Sequence, residues 1–237
     1  MSSTENNLSK FLALPKPKLI IFDCDGVLVD GEALAMKAII SFAKQHGFEM
    51  TEEMAQEHVL GHALPQVVKS LERLSGKKFP DDSVAQLKQM FIKLAEEHAE
   101  PVTGAGALLK KLNEANIPFR IGSNSSTKEM QVKFKATGLE DHIEDENIHS
   151  AADIGSPKPQ PDVYLLAAEE EGVRPEECIV IEDSDPGTLA AVRAGMRCIV
   201  LRAAEDKAPA AFEDGNCLIA HTIKEVGEFI FAAIKKD

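Results

Sequence analysis

Three short polar runs, each directly after an apolar run, could do chemistry together. The first is Phe22-Asp23-Cys24-Asp25-Gly26, which follows Leu19-Ile20-Ile21. In an extended segment, residues two apart point to the same side. Two carboxylates placed this way repel unless a cation or a shared proton compensates, and a hard, oxygen-seeking cation such as Mg2+ suits Asp23 and Asp25. Gly26 then permits a tight backbone approach that frees amides for an anion. A plain turn, with Asp and Gly simply following a strand, fits the same residues.

The second run, Ser123-Asn124-Ser125-Ser126-Thr127, follows Phe119-Arg120-Ile121-Gly122. Ser123, at the end of the apolar run, is a candidate phosphate ligand, with Asn124 beside it. Ser126 and Thr127 fit ordinary capping of the next helix. The third run, Glu182-Asp183-Ser184-Asp185-Pro186-Gly187, follows Cys178-Ile179-Val180-Ile181. Asp183 supplies a third carboxylate for the cation, and Glu182 stands next to it as a further candidate ligand. Asp185 followed by Pro186 reads as an N-cap and first helical residue. Lys158 lies in Pro157-Lys158-Pro159-Gln160-Pro161, where prolines stiffen the loop and fix where the ammonium points. A lysine held this way is a point charge for phosphate; a solvated turn lysine is the alternative.

Groups so far apart in sequence need a scaffold that gathers them. Short runs that are apolar throughout alternate with amphipathic stretches over 105–115, 127–137, 162–171, 187–194 and about 222–235. That pattern predicts an α/β fold, with a Rossmann-like parallel sheet covered by helices on both faces. In such a sheet, ligands bind beyond the carboxyl ends of the strands, where all three polar runs would lie. Residues 51–100 show helical patterns (51–59, 64–74, 83–98) and no clear strand. The expected organisation is a core of 18–32 and 101–237, an all-helical insert over 33–100, and a loose, flexible tail over 1–17.

Lys and Arg number 26 and Asp and Glu 39, giving a net charge of −13. A field of that sign repels nucleic acid and anionic membranes, and admits a small anion only where a basic group or bound cation reverses it locally. No apolar stretch approaches the ~20 residues of a membrane span. The spacing of Cys24, Cys178, Cys198 and Cys217 fits no zinc pattern, and buried free thiols in a reducing cytosol are expected. The expected partner is a small phosphorylated metabolite, with the chain cytoplasmic and a monomer or weak dimer.

Taken in order, these pieces resemble the motifs of the haloacid dehalogenase superfamily of phosphatases. Asp23-Cys24-Asp25-Gly26-Val27-Leu28-Val29-Asp30 is similar to its first motif, Ser123 to its second, Lys158 to its third and Glu182-Asp183-Ser184 to its fourth. The helical insert resembles the cap of the β-phosphoglucomutase-like branch. The resemblance implies that Asp23 attacks a phosphoryl group and that Asp25 acts as acid and then base. It further implies Mg2+ held by Asp23, Asp183 and the Asp25 carbonyl, with Ser123 and Lys158 gripping the phosphoryl group.

Two departures stand out. Gly31 replaces the usual Ser or Thr, which removes a hydroxyl and leaves space read as room for substrate. Ala35 and Leu64 replace a His and an Arg of the mutases, and this favours hydrolysis over phosphate return to a sugar. His62, in the insert's loop, is a candidate substrate contact or a surface histidine. The run Gly104–Leu109, with Ser123-Asn124, is similar to bacterial 6-phosphogluconate phosphatases. A sugar phosphomutase and a non-catalytic binding protein on the same fold are the alternatives.

Overall fold

The computed structural model describes residues 3–59, 64–213 and 215–235. Helix α1 (Ser3–Ala13) precedes strand β1 (Leu19–Phe22). Four helices then follow without a strand: α2 (Gly31–Gln45), α3 (Glu52–His58), α4 (Leu64–Ser75) and α5 (Ser83–His98). Alternation begins at α6 (Ala105–Glu114) and continues through β2 (Phe119–Ser123), α7 (Thr127–Thr137), β3 (Ile148–Ser150), α8 (Asp162–Glu171), β4 (Cys178–Glu182), α9 (Asp185–Arg193) and β5 (Arg197–Leu201). The chain closes with β6 (Cys217–Ala220) and α10 (Ile223–Ile234).

The six strands form one parallel sheet in the order β3-β2-β1-β4-β5-β6. The strands are apolar on both sides because both sides are covered. Ile20 and Phe22 face a cluster built from α6, α7 and α10, including Leu109, Phe134 and Ile230. Leu19 and Ile21 face a second cluster with Val163, Tyr164 and Ala167 of α8 and Ala190 of α9. Each large side chain buried in this way contributes ~1.5–3 kcal/mol.

Strand β1 is where the order reverses, with β2 on one side and β4 on the other. Phe22 is in register with both Ile121 and Ile181. The chain beyond Phe22 therefore emerges level with the ends of β2 and β4, at the crevice where an open α/β sheet binds ligands.

Helices α2 to α5 hold a third apolar cluster, including Phe42, Val67, Leu71 and Leu87. Phe42 meets Phe79 edge-on at 5.8 Å. Helix α5 also reaches the sheet region through Lys88, whose Nζ lies 3.5 Å from Glu129 on α7.

Two local expectations are corrected. Within the expected loose tail over 1–17, Ser3–Ala13 is a helix docked on the core. Phe11 is fully buried against the α6–α10 side of the core, with Leu8 and Leu12 beside it. Asn7 Nδ2 donates to Cys217 O at 2.9 Å, and Gly215 N donates to Asn7 Oδ1. The guanidinium of Arg197 stacks 5.3 Å from the Phe11 ring centre and donates to Pro15 O at 2.6 Å. The second correction concerns α9. Its cap is Ser184, whose hydroxyl accepts from Gly187 N at 3.1 Å. Asp185 is instead the first helical residue and pairs with Arg202. His62 lies outside the described residues.

Candidate active site

The crevice beyond β1 gathers three carboxylates and one ammonium. Oxygens of Asp23, Glu182 and Asp183 all lie within 4.8 Å of one another. Lys158 Nζ donates to Asp23 Oδ1 and to Glu182 Oε1, each at 2.6 Å. Asp23 extends β1, with its backbone N–H bonded to Ile181 O at 2.9 Å. The turn after it closes through Gly26 N to Val29 O at 2.8 Å, and Gly26 adopts φ +78°. A Cβ on Gly26 would overlap Asp183 Oδ2, so the absent side chain lets the carboxylate sit against the loop.

Lys158 is placed by two neighbours. Its backbone N–H donates to Asn124 Oδ1 at 2.8 Å, which ties its loop to the end of β2. Its ammonium lies 4.8 Å from the centre of the Tyr164 ring. Asn124 thus pins the lysine's loop.

Glu182 stands in the cluster, but both of its oxygens are occupied. Oε1 accepts from Lys158 Nζ and Tyr164 Oη, and Oε2 from Asp183 N, Ser184 N and Ser184 Oγ. These bonds make Glu182 an anchor for Lys158 within the carboxylate group that could hold a cation. A Cβ on Gly187 would overlap Glu182, so the start of α9 must be glycine for this anchor to fit.

Asp25 points elsewhere. Its Oδ2 accepts from Ser125 Oγ at 2.8 Å, and its two oxygens lie 2.6 and 2.8 Å from Lys133 Nζ. Its carboxylate is not in the cluster, so any part in holding a cation falls to its backbone carbonyl. The space opened by Gly31 is filled by Asp25 and not left for substrate, since a Cβ there would come within 2.5 Å of Asp25 Oδ1. Ser123 is buried at the end of β2, its hydroxyl accepting from Ser125 N at 3.2 Å. Ser126 caps α7 through a reciprocal box with Glu129, and Thr127 N is occupied by Asp153 Oδ2 at 2.9 Å. The first turn of α7 is thus structural.

The charges are not balanced by the protein alone. Burial, then the charges of Glu182 and Asp23, push Asp183 up to about 9. Burial likewise raises Asp23, against the pull of Lys158. Glu182 is lowered in spite of its burial, because Lys158 and the surrounding donors favour its ionised form. Burial works against the charged form of Lys158, yet Asp23 and Glu182 raise it. An all-oxygen cluster with surplus negative charge is the chemistry of a hard cation site, and the residues present fit one.

Several participants escaped sequence reasoning. Tyr164 is the sole tyrosine of the chain and lies on the buried face of α8, where its hydroxyl needs a partner. Lys133 interrupts the buried face of α7 between Met130 and Phe134. Arg202 donates to Asp183 O at 3.2 Å and steadies that loop, with no sequence signal to mark it.

Residues 20–201 match the family described as haloacid dehalogenase-like hydrolases. The chain is 31% identical over 211 residues to hexitol phosphatase A of Escherichia coli K12, covering 88% of this chain and 93% of that one. It is 26% identical over 178 residues to 6-phosphogluconate phosphatase of the same organism, covering 75% and 79%. A haloacid dehalogenase family hydrolase from Deinococcus radiodurans R1, solved with bound phosphate and sodium, superposes with a TM-score of 0.73 at 27% identity, covering 92% of this chain and 97% of that one. With the strand-end carboxylates and lysine described above, this chain belongs to the haloacid dehalogenase-like hydrolase family.

Proposed function

We propose that this chain is a magnesium-dependent phosphatase that hydrolyses a small phosphomonoester, a sugar phosphate or sugar-acid phosphate, through an aspartyl-phosphate on Asp23. The observation that carries this reading is the contact of Lys158 with both Asp23 and Glu182, inside a cluster that Asp183 completes. Binding alone needs no nucleophile beside a separate acid. The phosphatases of Escherichia coli named above support the substrate class.

Asp23 Oδ2 is free of the lysine and is the oxygen suited to attack phosphorus. Lys158 keeps Asp23 oriented and offsets charge on the phosphoryl oxygens. Ser123, buried at the end of β2, donates its hydroxyl proton to the same group. Asp25 transfers a proton to the leaving oxygen and later takes one from the attacking water. Asp23 and Asp183, with the carbonyl of Asp25, would hold Mg2+. When bound, the ion neutralises negative charge on the transferring group. Helices α2–α5 act as a cap that excludes bulk water above the crevice.

The test is phosphate release in Mg2+ from a panel of hexitol phosphates, 6-phosphogluconate and hexose 6-phosphates. Release is expected for at least one sugar or sugar-acid phosphate, and Asp23→Asn should abolish it while the thermal melt stays cooperative. Isomerised sugar phosphate without release would instead show a mutase, and absence of turnover of any kind would overturn the reading.

A further inference from the structure

We propose that Lys133 and Ser125 form a seat that orients the Asp25 carboxylate for its proton transfers, and that glycine at position 31 makes room for it. This rests on the phosphatase reading above. Lys133 Nζ lies 2.6 Å from Asp25 Oδ1 and 2.8 Å from Oδ2, and Ser125 Oγ donates to Oδ2 at 2.8 Å. Nζ is also 3.1 Å from Ser125 Oγ, so the three side chains form a closed network. Both carboxylate oxygens are therefore fixed from α7 and the loop before it.

Three features separate this seat from an incidental surface pair. Lys133 is 9% exposed, on a helix face otherwise filled by Met130 and Phe134. Burying an ammonium among apolar groups costs several kcal/mol unless a carboxylate answers it, and a hydrophobic residue would fill the face at less cost. Lys133 reaches both oxygens of a single carboxylate, and that carboxylate belongs to the reacting loop, two residues from Asp23. Finally, the pose is incompatible with a side chain at position 31: a Cβ would stand 2.5 Å from Asp25 Oδ1 and 2.8 Å from its Cβ. Lys133 and Ser125 bond to Asp25 and to each other, so their effect on the reaction passes through Asp25. They are positioning residues.

The test uses the full chain with Mg2+, phenyl phosphate and 4-nitrophenyl phosphate. Phenolate needs a proton to leave; 4-nitrophenolate leaves without one. Losing a correctly placed acid or base typically costs ~10²-fold or more, so Lys133→Met should lower kcat on phenyl phosphate by about that factor, with KM changed less than about threefold. On 4-nitrophenyl phosphate the same variant should release a burst of one nitrophenolate per chain at close to the wild-type rate, because Asp23 is untouched. Slow steady turnover should follow, because the water step still needs Asp25. Lys133→Arg should restore most of kcat, and Ser125→Ala should show the same pattern more weakly. The proposal is overturned if Lys133→Met turns over like wild type. It is also overturned if burst and steady rate fall together, or if Arg restores nothing, since these mark a residue that only supports packing. Where the wild type releases phosphate only from a sugar phosphate of the panel above, the Lys133→Met loss in kcat and its rescue by Arg are read on that substrate; a wild type that turns over none of these compounds overturns the phosphatase reading and this proposal with it.

Discussion

Lys158 Nζ lies 2.6 Å from Glu182 Oε1, and neither side chain is more than 3% exposed. The pair is the buried floor of the site, and Tyr164 and the Ser184 turn complete it. Removing one partner of a buried pair leaves the other charge unanswered, at a cost of ~3–5 kcal/mol. Glu182→Ala is therefore expected to lower unfolding stability in urea by that amount and to cut turnover, because Lys158 loses its anchor. Glu182→Gln keeps the shape and should be the milder change. Equal stability of the Ala variant and wild type would show that the pair contributes nothing.

Metal binding has a readout independent of activity. An ion that binds only the folded state stabilises it by RT ln(1 + [L]/Kd), or ~2.7 kcal/mol at a hundred times Kd. Millimolar Mg2+ should raise the melting temperature of the wild type, and EDTA should reverse the rise. Asp183→Asn should abolish the shift, whereas Glu182→Gln should retain it, because the Glu182 oxygens already face donors. A full shift in Asp183→Asn would remove that residue from the cation site.

Gly26→Ala is expected to be more damaging than its size suggests. The position has φ +78°, where a side chain is strained, and the new Cβ would overlap Asp183 Oδ2. Asp183 would have to leave the crevice, so both turnover and the Mg2+ shift should be lost together. Retention of the shift in a folded Ala variant would mean that Asp183 can hold the ion from another pose.

The sheet and the strand-end residues were legible because the code there is local. Four-residue apolar runs ending in polar groups, with Gly138 and Gly172 stopping helices in the left-handed conformation, left little choice of element. Helix α1 was not legible. Leu8, Phe11 and Leu12 are too few for a clear periodicity, and the helix is held by distant partners, Asn7 by the chain at 215–217 and Phe11 by Arg197. Lys133 was illegible for a similar reason: whether a lysine on an apolar face bends to solvent or meets Asp25 depends on a loop more than a hundred residues away. For α1 the consequence is measurable. Phe11 is wholly buried, and truncating such a ring costs ~3–5 kcal/mol. Phe11→Ala should therefore lower urea stability in that range while KM stays near wild type; a near-zero loss would restore the view of residues 1–17 as a tail.

Two groups, His149 and Asp183, bend the pH dependence of stability in opposite senses. Burial holds His149 below the usual histidine range, and Nε2 of its neutral ring, 3.2 Å from Arg120 Nη1, must accept the hydrogen bond because a guanidinium only donates. A group depressed on folding contributes stability above its unfolded value, ~6.5, that is lost as the pH falls. Asp183 acts in the opposite sense. Its folded value near 9 exceeds the unfolded one, so its contribution is complete in acid and is lost as the pH rises through about 9. In EDTA, Asp183 should lower the melting temperature as the pH rises from its unfolded value, ~3.9, to about 9, and His149 should oppose that decline below ~6.5, each proton contributing at most ~1.4 kcal/mol per pH unit. His149→Gln should steepen the decline with rising pH below ~6.5 and leave the range above it unchanged. Mg2+ should flatten the decline above ~6.5, since the cation favours the ionised carboxylates that high pH produces. Calorimetry from pH 5 to 9, with and without Mg2+, separates the two, and a decline above ~6.5 unchanged by Mg2+ would disconnect Asp183 from the cation.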